Sequence, residues 1–323
     1  GGAGYIGSQA VKQLVEAGHR VAAVDNLRHG HRQAVHPKAA FHQVDLADTE
    51  ALADVFRQHE IECVMHFAGL ISVGESVTDP LRYYENNTAG TISMLQAMRQ
   101  AGVRRLVFSS TAAVYGEPEG TPIVETMRRE PVNPYGWSKY FAEQIFRDYA
   151  AANRQFAFAL LRYFNVAGSA ADGSLGEDHD PETHLIPLLL LAALGRVEKV
   201  TLFGTDYPTP DGTCIRDYIH VEDLCAAHIT AMEALQAGDS RVYNLGIGRG
   251  YSVKEVVESA KRVTGVDIPI EYGPRRPGDP AILYADSRKI QTELGWSPRY
   301  TEIDRIVATA WNWLDSHPDG YGE

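Results

Sequence analysis

The sequence predicts an α/β protein: a doubly wound parallel sheet, followed by a smaller C-terminal α/β domain. Three observations carry this reading. A glycine-rich turn, Gly1-Gly2-Ala3-Gly4-Tyr5-Ile6-Gly7-Ser8, leads straight into an amphipathic run that stops near Gly18, a residue suited to a helix C-cap. A short apolar run, Val21–Val24, then ends in an acid, Asp25. Short apolar runs go on alternating with helical patterns to about residue 164, the order that parallel βαβ units need.

Each element follows from its residues. In such a turn the first glycine makes the tight bend, the second lets the backbone approach a pyrophosphate, and the third lets helix and strand pack closely. The free N–H groups and dipole at the helix start favour the phosphates there. Asp25 stands where a Rossmann-type unit places the carboxylate that bonds the adenosine ribose hydroxyls. An acid at that point repels a 2′-phosphate, so NAD is expected over NADP. No strand precedes the turn, so this fold class predicts that the sequence given begins one strand into the domain.

Further strands are predicted at Val21–Asp25, Ala40–Val44, Cys63–Phe67, Arg105–Ser109 and Phe156–Arg162, and helices at Thr49–Gln58, Pro80–Gln100 and Tyr135–Asn153. After Val166 the pattern loosens, and residues 168–183 read as an excursion away from the sheet. A helix is expected at Ile186–Gly195, a strand at Lys199–Phe203, and helices at Val221–Gln236 and Val253–Thr264. Tyr243–Leu245 reads as a strand returning to the main sheet. Tyr272–Pro280 is too rich in Gly and Pro for a regular element. The expected division is a dinucleotide-binding domain over 1–166 and a substrate domain over 167–323, with about 205–250 returning to the first.

Composition narrows the function classes. Apolar residues make up 44% of the 323 and charged residues 22%, ordinary for a globular protein. A net charge of −12 argues against a nucleic-acid surface and requires an anionic ligand to be held by a few local cations. Three cysteines, Cys63, Cys214 and Cys225, make no disulfide framework and show no metal-ligand spacing. They read as reduced packing residues of a cytoplasmic protein. The longest apolar stretch, Leu185–Leu194, is too short to span a bilayer.

The chemistry is carried by Tyr135-Gly136-Trp137-Ser138-Lys139, in which Tyr and Lys at i and i+4 share one helix face. An ammonium beside a phenol favours the phenolate, which can exchange a proton with a sugar hydroxyl. Upstream, Val107-Phe108-Ser109-Ser110-Thr111 is an apolar strand ending in three hydroxyls at the sheet edge where a nicotinamide would lie. Thr111 is placed to bond the reacting hydroxyl while Tyr135 handles its proton.

These motifs, with Phe67-Ala68-Gly69, Leu160-Leu161-Arg162-Tyr163-Phe164-Asn165, Gly176-Glu177-Asp178, Arg216-Asp217-Tyr218-Ile219-His220-Val221, Tyr243-Asn244-Leu245-Gly246 and Arg275-Arg276-Pro277-Gly278-Asp279, resemble the extended short-chain dehydrogenase/reductase superfamily and, within it, the UDP-glucose 4-epimerases. The likeness runs over essentially the whole chain. It implies that Tyr135 takes the proton from the sugar 4-hydroxyl, that retained NAD takes the C4 hydride, and that the 4-keto sugar turns over and regains the hydride on its other face. Lys139 would depress the Tyr135 pKa and hold the nicotinamide ribose.

By the same resemblance, NAD contacts fall on Gly1, Gly4, Tyr5, Ile6 and Gly7, on Asp25, Asn26, Leu27, Arg28, His29 and Gly30, and on Asp45 and Leu46. They continue over Phe67, Ala68, Gly69, Leu70 and Ile71, Asn86, Tyr135, Lys139 and Phe164. Nucleotide-sugar contacts fall on Thr111, Tyr135, Asn165, His184, Leu185, Thr201, Leu202, Phe203, Arg216, Arg276, Pro277, Gly278, Asp279 and Leu283. Arg216 and Arg276 would supply the positive charge that a diphosphate needs.

Three positions depart from the pattern. Ile71 stands where some members place a lysine near the cofactor, and His184 where some have asparagine. Leu283 stands where some carry a bulky tyrosine and others a small residue, which leaves room for a 2-acetamido group. Alternatives are epimerases of UDP-N-acetylhexosamines or UDP-uronic acids, a nucleotide-sugar dehydratase, and a non-catalytic NAD-sensing protein. A dehydratase would need acids after the strand-end threonine, where this chain has Ala112-Ala113. Analogy at the level of the fold suggests a homodimer built on Pro80–Gln100 and Tyr135–Asn153.

Overall fold

The computed structural model describes residues 1–276 and 279–322. The glycine turn passes into α1 (Tyr5–Glu16), followed by β1 (Ala22–Asp25), β2 (Ala40–Gln43), α2 (Thr49–Gln58), β3 (Cys63–His66), α3 (Val73–Thr78) and α4 (Pro80–Tyr83). A π-helical turn at Tyr84–Ala89 joins α4 to α5 (Gly90–Ala101); β4 (Arg105–Ser109), α6 (Pro134–Ala152), β5 (Ala157–Tyr163) and β6 (Asn165–Ala167) come next. The remainder comprises α7 (Leu185–Ala193), β7 (Val200–Phe203), β8 (Ile215–Arg216), β9 (Tyr218–His220), α8 (Val221–Ala234) and β10 (Ser240–Leu245). It continues through β11 (Tyr251–Ser252), α9 (Val253–Thr264), β12 (Ile270–Gly273), β13 (Ile282–Leu283), α10 (Arg288–Leu294) and α11 (Ile303–Ser316).

The main sheet runs β10-β5-β4-β3, all parallel, and β1 and β2 form a second parallel pair. Because side chains alternate along a strand, β4 and β5 supply both of its cores. Leu106, Phe108, Phe158 and Leu160 meet Leu52, Met94, Met98 and Phe146 of α2, α5 and α6 on one face. Val107, Ala159 and Leu161 meet Leu224, Ala227 and Ala231 of α8 on the other, with Tyr243 of β10 beside them. This is the Rossmann-type layering that the sequence predicts, and the Tyr243–Leu245 run does pair with β5. A separate core joins α7, α9 and α11 with β7 through Leu189, Leu190, Val200, Val256 and Ile306.

Local chemistry starts the helices that carry the site. Asn133 caps α6, its Oδ1 accepting from the Gly136 N–H at 2.8 Å, and Pro134 sits at the first helical position. Asp217 joins the two halves: its buried carboxylate accepts from Ile247 N, just past β10, and from Ala285 N, just past β13, both at 3.0 Å.

Two expectations gain detail and one is corrected. Pro80–Gln100 is helical along its length but widens into a π turn at Tyr84–Ala89. Residues 168–183 leave the sheet, as expected, and pack back on the helices beside it. They are strapped across α1 and α8 by Tyr5 Oη donating to Gly168 O, Lys12 Nζ donating to Ser174 Oγ (2.8 Å) and Ala171 N donating to Glu222 Oε1 (2.9 Å). Tyr272 and Gly273 do belong to a strand, since the β-branched start of β12 lets it pair with β7 despite the Gly and Pro that follow.

Candidate active site

A cavity of about 1970 Å³ lies at the carboxyl ends of the strands. It is larger than an ordinary ligand pocket because it also runs between the two sheets, along Val21–Val24 and Cys63–Met65. Every described residue that the sequence analysis placed in the cofactor or substrate site lines this cavity, with the exception of Lys139. Pro277 and Gly278 lie outside the described residues.

The glycine turn forms a cradle that side chains would fill. A Cβ at Gly7 would sit 1.8 Å from Gly1 O, and one at Gly30 would sit 2.9 Å from the Ala3 carbonyl carbon. A Cβ at Gly4 would meet nothing nearer than 3.8 Å, so this residue faces open space. No side chain caps the N-terminus of α1, which leaves its first N–H groups free for an anion. Asp25 is buried, with Oδ2 accepting from Ala3 N (3.0 Å) and Oδ1 from Leu27 N (2.8 Å). Each oxygen keeps a further lone pair for a ligand hydroxyl. Asn26 donates to Asp45 at 2.7 Å, holding together the two loops that the sequence assigns to the adenosine.

Phe67 to Ile71 form the middle of the cleft, and Ile71 is 49% exposed. Asn86 lines the cleft, but its neighbour Asn87 does more structural work than sequence reasoning recognised. Asn87 is buried; its Oδ1 accepts from Leu70 N at 2.8 Å, and its Nδ2 donates to Leu70 O at 3.0 Å and Ser138 Oγ at 2.9 Å. The interposed π turn is the local device that aims both asparagines inward.

Thr111 follows the end of β4 by two residues and caps a short 3₁₀ turn, its Oγ1 accepting from Ala113 N at 3.1 Å. Burial raises the Tyr135 phenol above its ordinary pKa, opposed by its hydrogen bond with Thr111. Lys139 is buried behind the pair; its ammonium donates to Ser109 O at 3.1 Å and lies 4.9 Å from the Phe108 ring centre. Burial lowers its pKa to about 8. In this arrangement the phenol is therefore governed by burial and Thr111, while two ammonium protons of Lys139 remain for a ligand.

A buried network that the sequence analysis did not single out fixes this corner. Arg162 and Glu143, both fully buried, pair through Nε–Oε1 (2.8 Å) and Nη2–Oε2 (2.5 Å). Ser110 donates to Glu143 at 2.7 Å, Arg162 Nη1 donates to Tyr115 Oη at 2.8 Å, and Tyr115 donates to Asn244 at 2.6 Å. Glu143 lies two turns past Tyr135 on α6, so the network ties that helix to the end of β4.

On the far wall Arg216 is buried and spoken for: it pairs with Asp279 and donates to Pro280 O and Ile215 O, both at 2.7 Å. The Arg276 guanidinium stacks 4.3 Å above the Phe203 ring. Leu202 is a core side chain beside the cleft. Leu283 packs on Val114, Tyr115 and Ile123 at the cleft edge. Phe164 and the exposed Asn165 follow β5 into the cleft, and Thr201 and Leu185 line its far side.

Comparison with known proteins decides the family. Residues 1–246 match the NAD dependent epimerase/dehydratase family. The chain belongs to that family. A UDP-glucose 4-epimerase of Lacticaseibacillus casei is 51% identical over 324 aligned positions, covering 100% of this chain and 98% of that protein. A crystal structure of a UDP-glucose 4-epimerase superposes with a TM-score of 0.97 at 50% identity, covering 100% of this chain and 98% of the other. The Bifidobacterium longum UDP-glucose 4-epimerase in complex with NAD⁺ and UDP superposes with a TM-score of 0.94 at 40% identity, covering 99% and 98%.

Proposed function

We propose that this chain is a UDP-glucose 4-epimerase that interconverts UDP-galactose and UDP-glucose with NAD retained. The observation that carries the reading is one cavity containing the glycine cradle, Thr111 with Tyr135, and Arg216 with Asp279. The cradle fits a dinucleotide, because only glycine is tolerated at Gly7 and Gly30 and the α1 N–H groups are free.

The residues divide the work. Gly4 to Gly7 and the α1 N-terminus bind the pyrophosphate, and Asp25 accepts from the adenosine ribose. Lys139 turns its free donors to the nicotinamide ribose. Thr111 holds the sugar 4-hydroxyl, and Tyr135 takes and returns its proton. NAD, when bound, takes the C4 hydride and gives it back. Turnover of the 4-keto sugar needs a roomy pocket, which the cavity supplies. Ala112 and Ala113 after Thr111 carry no acid for elimination of water, which favours epimerisation over dehydration.

The domain boundary is proposed at about 166, with the sugar nucleotide held by the α7–β7–α9 side. The protein is proposed to be a cytoplasmic homodimer. Supporting the dimer, Leu81, Ile92 and Phe141 on α4, α5 and α6 are exposed apolar side chains, and Trp137, Phe141 and Tyr84 form an aromatic group beside them. Supporting the compartment, the three cysteines are free, and among the described residues no helix is long and apolar enough to cross a membrane. A substrate panel tests the specificity. UDP-galactose is expected to be converted readily, and UDP-GalNAc and UDP-galacturonate at least about 10-fold more slowly, the discrimination that small pocket differences give. Equal or faster turnover of either alternative would reassign the substrate.

A further inference from the structure

The loop that leads into α7 carries Glu177, His179, Glu182 and His184. Each offers one ligand atom, and the four atoms lie within 4.8 Å of one another. His184 Nδ1 is 2.8 Å from Glu177 Oε1 and 3.0 Å from Glu182 Oε1, while His179 Nδ1 is 3.1 Å from Glu177 Oε1 and 3.8 Å from Glu182 Oε2. A tetrahedral ion with bonds of about 2.0–2.2 Å separates its ligands by roughly 3.3–3.6 Å, within the spread of these distances. Both imidazoles turn the same nitrogen inward. His179 Nδ1 is buried and makes no properly aligned hydrogen bond despite its nearness to Glu177, as expected of a lone pair directed at a common centre rather than at one carboxylate.

We propose that Glu177, His179, Glu182 and His184 bind one divalent cation of the zinc class at a structural site. The two carboxylates balance a doubly charged ion, whose binding displaces the protons that these carboxylates otherwise hold on both imidazoles. Imidazole nitrogens select such an ion over calcium or magnesium, which take oxygen ligands. Four protein ligands close the tetrahedron and leave no position for substrate, so the ion holds the loop rather than reacting, and His184 serves the ion in place of the sugar contact that the resemblance implies for it. The loop it holds matters: the His179 ring packs edge-on against Tyr5 of the glycine turn with centroids 6.4 Å apart, and His184 directly precedes α7. The ion thus pins the 177–184 loop between the nucleotide cradle and the start of α7. The proposal does not depend on which sugar the enzyme takes.

The intact protein, stripped with chelator, is titrated with Co²⁺ alone and followed by visible absorption. Saturation at one equivalent with the intense bands of tetrahedral cobalt, reversed by Zn²⁺, is the expected result. His179→Asn is expected to weaken Co²⁺ binding by more than the roughly 10–100-fold typical of losing an outer-shell partner. Absence of saturable binding in the wild-type chain overturns the proposal, as does a His179→Asn protein that binds as tightly as wild type. If His179→Asn does not fold, Glu182→Gln serves in its place, and the wild-type titration decides by itself.

Discussion

Only the Thr111 hydroxyl offsets the burial of the Tyr135 phenol, the proposed acid–base group. Tyr135→Phe is therefore expected to lower kcat by about 10²–10⁴-fold, the usual contribution of a positioned acid–base, while the purified protein keeps its nucleotide. Epimerisation at the wild-type rate would remove Tyr135 from the reaction. Lys139 is the complementary case, a buried ammonium held by one carbonyl and one ring face. Burial holds its folded pKa at about 8, below the ordinary lysine value, so the charged form is disfavoured in the fold at neutral pH. That cost is present below about pH 8 and is relieved as the pH rises towards the unfolded value near 10.5. In nucleotide-free protein, Lys139→Met should lose activity yet melt no lower than wild type at pH 7. Any gain in Tm should shrink between pH 8 and 10, and thermal melts across that range check it. The Tyr-Lys spacing and the Thr111 strand end were legible in the sequence because each is a local signal. The expectation that Lys139 sets the Tyr135 pKa was not supported, because no spacing reveals that the ammonium turns to Ser109 O.

At the scale of elements, α6 and β4 are locked by Glu143 and Arg162, with Ser110 and Tyr115 bonded to them. Glu143→Gln leaves a buried guanidinium poorly compensated, which costs about 3–5 kcal/mol when one partner of a buried pair is lost. A fall in Tm of several degrees and a lower kcat with NAD still bound are expected, measured by melting and by assay on the folded fraction. An unchanged Tm would show that the network does not hold this corner. Most strands and helices were readable from their apolar periodicity, β4 and α2 to the residue. The network was not, because its members lie far apart in sequence and only folding brings them together. The same reason hid Asn87, whose partners Leu70 and Ser138 come from the loop after β3 and from α6. The π turn was hidden because a run such as Tyr84–Ala89 is polar and carries no proline or glycine to mark the widening.

For the whole molecule, the glycine turn, Thr111 with Tyr135, and Arg216 line one cleft at the strand ends, the one proposed to hold both a dinucleotide and a sugar nucleotide. The −12 net charge leaves the diphosphate dependent on local donors. Arg216 is already paired to Asp279, so a bound diphosphate would compete for a guanidinium that the fold has oriented in advance. The order of the glycine turn, acid and hydroxyl-bearing strand end made the nucleotide half legible. The sugar half was placed only through resemblance to a family, because its residues lie on short elements with no periodicity of their own. One measurement bears most directly on the central claim, that a retained NAD and Tyr135 epimerise a UDP-hexose in this cleft. Purified protein is incubated with UDP-galactose and no added nucleotide, and the sugars are separated with time. UDP-glucose of unchanged mass should accumulate to equilibrium, with NAD recovered on denaturation. A product that has lost water, or no product even after NAD is supplied, would contradict the account.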